Sequence, residues 1–142
     1  PGFVARGAGG VLNVASVAAF QPLPGQAGYG GAKAFVLAYS QATAAELRGT
    51  GVAVTALCPG PVRTGFGETA GLSESESNGA LPRFMWVPAP DVARVGVEGL
   101  VKGRTVVIPG AANAIGAYAG RITPKTVLLP LLARQHPALR RP

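Results

Sequence analysis

The apolar positions of this chain change their period along its length, and each change marks an element. GGVLNVAS, Gly9 to Ser16, gathers Val11, Leu12 and Val14 into a short run, the pattern of a strand buried on both faces of a parallel sheet. From Gln21 to Gly28 the residues Pro22, Pro24 and Gly25 break any period, so a loop is expected. Between about Tyr29 and Arg48, the residues Ala32, Phe35, Val36, Tyr39, Ala42, Ala45 and Leu47 recur at helical spacing, which predicts a helix stopped by Gly49 and Gly51. Val52 to Leu57 reads as a second strand, ended by Pro59. Residues 65–88 form a long irregular insertion, acidic and serine-rich at GLSESESNG and apolar at FMW, and loops of such length are usually functional. Pro90 and Asp91 open a shorter helix to about Lys102, closed by Gly103, and Thr105 to Gly110 is expected as a third strand. The remainder, 111–142, is a basic and apolar extension cut at Pro124, Pro130 and Pro137.

Strands separated by helices predict an α/β fold, an open, doubly wound parallel sheet with helices on both faces. Ligands of such sheets sit beyond the carboxyl ends of the strands. Ser16 closes the first strand and CPGPVRT follows the second, so both fall on that edge.

Composition narrows the chemistry. A chain of 142 residues, 48% of them apolar, suits one folded domain. Cys58 is the single cysteine and His136 the single histidine, which excludes a disulfide framework, a multi-cysteine metal site and a histidine-based triad. The opening PGFVARG does not read as a signal sequence, and the uncharged run Thr105 to Gly120 is too short and too broken for a membrane span, so a cytoplasmic protein is expected. With Met85 as the only methionine, a fragment of a longer chain is also expected. The net charge of +7 is uneven: from Lys102 onward there are seven basic residues and no acid. No nucleic-acid motif accompanies that charge and no aromatics are interleaved with it, so a nucleic-acid partner is not expected. Two readings of the extension stay open, a helix packing over a substrate pocket or subunit interface, and an amphipathic patch on an anionic membrane surface.

GYGGAK, residues 28–33, places Tyr29 and Lys33 four positions apart at the start of the long helix, on one face. A lysine ammonium near a phenol favours the phenolate, the form a general base needs. By itself such a pair is more often an exposed lysine on a half-buried helix, so the neighbouring residues decide. Ser16, thirteen residues upstream of Tyr29, can share the same cleft once the proline-containing loop returns the chain. Cys58 reads as a small buried hydrophobe, since no histidine lies nearby to activate it.

Taken in order, NVAS at 13–16, YGGAK at 29–33 and PGPVRT at 59–64 resemble three motifs of the short-chain dehydrogenase/reductase family, Asn-x-Ser-Ser, Tyr-x-x-x-Lys and Pro-Gly-x-Val-x-Thr. The match runs from Gly9 to about Gly110; Ala15 departs from the first serine of the pair, and Ser16 stands at the second, catalytic one. The resemblance implies the C-terminal part of a Rossmann-like sheet and an NAD- or NADP-dependent oxidoreductase interconverting a carbonyl and an alcohol. It implies that Tyr29 is the acid or base, that Lys33 favours the Tyr29 phenolate and binds the nicotinamide ribose, and that Ser16 donates to the substrate oxygen. Pro59 and Gly60 would let the backbone approach the nicotinamide, with the Val62 backbone and the Thr64 hydroxyl on its carboxamide. The family's glycine-rich phosphate loop and the residue that selects NAD or NADP belong to its N-terminal half, so the present residues are expected to be the second half of a larger enzyme. Phe66, Leu72, Leu81, Phe84, Met85 and Trp86 of the insertion would line an apolar lid, favouring a small apolar carbonyl or alcohol substrate. A homodimer or homotetramer packed through the long helix is expected for the parent enzyme. The competing reading is a truncated, non-catalytic protein that keeps the fold as a binding scaffold.

Overall fold

The computed structural model describes residues 2–63 and 82–135. In chain order these carry α1 (Gly2–Arg6), β1 (Gly9–Val14), α2 (Ala27–Glu46), β2 (Val52–Leu57), β3 (Val62–Arg63), β4 (Val87–Pro88), α3 (Ala89–Val101), β5 (Val106–Val107), α4 (Ala111–Ile122) and α5 (Lys125–Gln135). Two single turns of 3₁₀ helix, Val17–Phe20 and Arg83–Met85, complete the set. The strand β2 lies at the centre of a parallel sheet of order β1-β2-β5, with β1 paired along its whole length from Gly9 against Val52 to Val14 against Leu57.

Alternation along β2 creates the two layers, because successive side chains point to opposite faces. Ala56 and, just beyond the strand, Cys58 pack with Ala15, Phe20, Leu37 of α2 and Ala117 of α4. Leu57 turns the other way and meets Val92 of α3 and Val107, with Leu12 and Val95 against them. The layer formed by α3 needs small residues at its contacts. A Cβ on Gly96 would stand 2.8 Å from Leu57 Cδ2, and one on Gly99 would collide with Val107 Cγ2, so α3 lies against the sheet through its glycines.

The long helix spans 27–46, two residues ahead of the expected span at each end, and the left-handed glycines Gly49 and Gly51 turn the chain into β2 as expected. Several expectations are corrected. The first strand ends at Val14, because Ser16 already caps a 3₁₀ turn rather than pairing. The third strand shrinks from six residues to Val106–Val107. The break at Pro130 does not occur: α5 runs through it, and Thr126, four residues back, where a proline removes the helical hydrogen bond, is an exposed residue. Pro124 does separate α4 from α5, its carbonyl accepting from Val127 N and Leu128 N at 3.0 Å each. Unforeseen in the sequence were α1 and the parallel pair of β3 with β4, which joins the turn after β2 to the end of the insertion. Among the described residues no helix is long and apolar enough to cross a membrane.

Candidate active site

Ser16 owes its position to the sheet ladder continuing past the end of β1. Ala15 N donates to Leu57 O at 2.8 Å and Val17 N to Pro59 O at 3.0 Å, so residue 16 is held between two rungs beside the Pro59-Gly60 turn. Its hydroxyl accepts from Ala18 N at 3.1 Å as the cap of the 3₁₀ turn, and lies 3.5 Å from the Pro59 carbonyl. The cap fixes the oxygen while the second bond is too long to hold the proton firmly. The side chain is 8% exposed, at the floor of the strand edge.

Tyr29 and Lys33 sit one turn apart at the amino end of α2, as expected for i and i+4. Lys33 Nζ lies 5.7 Å from the Tyr29 ring centroid and donates to Val14 O at 3.1 Å. That bond ties the second turn of α2 to the carboxyl end of β1, two residues before Ser16. An ammonium has three donors, and Val14 takes one, which among the described residues leaves the others for a hydroxyl-bearing ligand. Tyr29 is 39% exposed, open to solvent.

Pro59 and Gly60 occupy the turn after β2, and Val62 begins β3, packed against the Leu57 cluster. Thr64 lies outside the described residues, as do Phe66, Leu72 and Leu81 of the expected lid; of its remaining members Phe84 is exposed, while Met85 and Trp86 are half-buried. The structure thus brings together Ser16, Tyr29, Lys33, Pro59 and Gly60 at the carboxyl edge of β1 and β2. A cavity of about 530 Å³ opens elsewhere, between α1, the sheet and the second half of α2, lined by Phe3, Val11, Tyr39, Leu47 and Val54 among others, and none of the five reaches it.

Cys58 stands directly behind this edge with 0% exposure. Burial pushes its thiol up to about 11 from an ordinary 9.0, partly offset by the backbone N–H of Ser16, which favours the thiolate. Two outcomes follow. Cys58 should resist thiol reagents at neutral pH until the protein unfolds. Above an unfolded-state value near 9, the unfolded chain binds fewer protons than the native one, so stability should fall as pH rises from about 9 to about 11. Denaturant midpoints at both ends of that window, compared with Cys58→Ala, test this; a slope equal in the variant would refute the assignment to Cys58.

One buried polar residue beside the Pro59-Gly60 turn left no trace in the sequence. Asn113, on the first turn of α4, is 2% exposed and donates from Nδ2 to Met85 O at 2.9 Å and to Pro109 O at 3.1 Å. A single asparagine in the alanine-rich stretch after Pro109-Gly110 gives no periodic or motif signal.

Residues 1–74 match the short chain dehydrogenase family, and the chain belongs to it. It is 32% identical over 103 residues to an uncharacterized oxidoreductase of Myxococcus xanthus, covering 72% of the present chain and 37% of that protein. It is 29% identical over 136 residues to the probable oxidoreductase EphD of Mycobacterium tuberculosis, covering 87% and 23%. Among solved structures, the short-chain dehydrogenase from Sphingobium yanoikuyae in complex with NADPH superposes with a TM-score of 0.68 at 30% identity, covering 92% of the present chain and 48% of that one. The chain therefore spans about half the length of that structure and less of the two curated relatives. The mixed α/β architecture with its parallel sheet is that of these Rossmann-like proteins.

Proposed function

We propose that these residues form the catalytic half of an NAD(P)-dependent oxidoreductase that interconverts a carbonyl and an alcohol. The observation that carries the reading is the pair of ties at one sheet edge, Lys33 Nζ to Val14 O and the Ser16 segment to Pro59 O, which gather acid, cation and hydroxyl beside a glycine turn. The residues suit a nicotinamide nucleotide: Lys33 keeps donors for a ribose hydroxyl, at the strand edge where the Pro59-Gly60 turn follows β2. Related dehydrogenases with NADPH or NADP in their structures support that choice of cofactor. When bound, the cofactor supplies or accepts the hydride.

In the reducing direction Tyr29 gives its Oη proton to the substrate oxygen while Ser16 Oγ donates a hydrogen bond to that same oxygen, where negative charge develops. Ser16 can do so by turning its proton away from the distant Pro59 carbonyl, its oxygen still held by Ala18 N. Lys33 keeps positive charge beside the phenolate that remains, and solvent reprotonates it through the exposed side of Tyr29. In oxidation the same groups run backwards, with Tyr29 as the base. On this reading the Val62 backbone and the Thr64 hydroxyl would bind the nicotinamide carboxamide, and Phe84, Met85 and Trp86 would favour an apolar substrate.

Fluorescence titration of the whole protein carrying this sequence with NADH and NADPH, followed by reduction of a panel of apolar ketones and aldehydes, tests the reading. Saturable binding of one dinucleotide and its oxidation by a carbonyl are expected. A protein that binds neither dinucleotide is not this enzyme, and one that binds but reduces no carbonyl is a scaffold.

A further inference from the structure

Asn113 is packed between two glycines. A Cβ on Gly60 would collide with its amide, and one on Gly110 would stand 3.1 Å from its Nδ2. Its donors are both used on carbonyls, Met85 O in the segment that follows the insertion and Pro109 O at the end of the third strand region. Its acceptor Oδ1 is buried without a hydrogen-bond partner among the described residues. An apolar residue of the same volume would fill the gap without stranding an acceptor. What the amide adds is therefore its pair of donors, which tie the start of α4 to Met85 O, 28 residues away, and to Pro109 O, four residues away, while its packing contact reaches Gly60, 53 positions back in the chain. The helix that carries it is anchored on the other side of the site as well. Tyr118 meets Phe20 edge-on at 5.6 Å between ring centroids, and Ala117 packs with Ala15 and Phe20, the neighbours of Ser16.

We propose that Asn113 is a positioning residue for the reaction, presetting the Pro59-Gly60 turn against the nicotinamide and coupling that turn to the Ser16 segment through α4. This rests on the function proposed above. Asn113 touches no reacting atom; it acts by holding Gly60 from behind, so its loss should appear in cofactor affinity before it appears in the chemical step.

The test uses the whole protein carrying this sequence and titration with NADPH and NADH. Asn113→Leu, close in size and without donors, is expected to weaken binding of the preferred dinucleotide by about tenfold, in the range of a lost buried hydrogen bond. Its KM for that dinucleotide should rise while kcat changes less, a split that a general loss of folded protein would not give. Gly60→Ala should weaken binding too, because the new methyl meets Asn113, and Gly60→Ala with Asn113→Ala should bind better than Gly60→Ala alone. The double variant keeps the test decisive where Asn113→Leu fails to fold. Unchanged affinity in Asn113→Leu, or strictly additive losses in the pair, would overturn the positioning role while the wild type still binds. A wild type that binds neither dinucleotide overturns the proposed function itself, and the positioning role falls with it, a result distinguishable from the first.

Discussion

Tyr29→Phe should lower turnover by about 10²- to 10⁴-fold, the usual share of a positioned general acid or base, and leave dinucleotide binding nearly intact. The change removes one oxygen from a ring that is already 39% exposed, so no cavity forms in the core and the helix keeps its first turn. Lys33 retains its bond to Val14 O and its place over the ring, so the ligand-facing donors stay where they are. Steady-state kinetics beside a fluorescence titration separate the two quantities. Turnover close to wild type in Tyr29→Phe would remove Tyr29 from the chemistry and, with it, the reading of the α2 terminus as an acid-base site.

Ser16→Ala is expected to act twice. Loss of the donor to the developing negative charge should cost about 10²- to 10³-fold in kcat. Loss of the cap on Ala18 N should cost on the order of 1 kcal/mol in stability, seen as a lower denaturant midpoint. Ser16→Thr keeps a hydroxyl at the same place and distinguishes these effects. It should restore most of the stability and, if its methyl is accommodated beside Pro59, much of the turnover. A variant that loses stability without losing turnover would make Ser16 a cap alone.

The two positions differ in how far the sequence revealed them. Tyr29 and Lys33 were legible because helical periodicity from Ala32 to Leu47 fixed their spacing to one face, and i to i+4 geometry is local. Ser16 was legible as a position on the strand edge, but its state was not: a reading of Gly9 to Ser16 as continuous strand misses the 3₁₀ turn at Val17–Phe20 that makes Ser16 a cap. That turn exists because Phe20 and Ala18 are drawn into the core against α2 and α4, a contact with residues far along the chain.

The same distinction runs through the rest of the molecule. Period and punctuation determined the alternation of the main strands and helices, the parallel α/β class and the turn at the left-handed glycines after α2, because each depends on neighbours within a few residues. Short elements escaped: an isolated five-residue helix such as α1 has no stability of its own, and the two-residue strands β3 and β4 exist only as partners of each other. What the tertiary structure alone decided is which carbonyl Lys33 grips, how the ladder beyond β1 sets Ser16 beside Pro59, and that Asn113 stands behind Gly60. These are pairings between residues 19 to 53 positions apart, and a linear pattern carries no term for them; only packing the two faces of β2 brings their partners within reach.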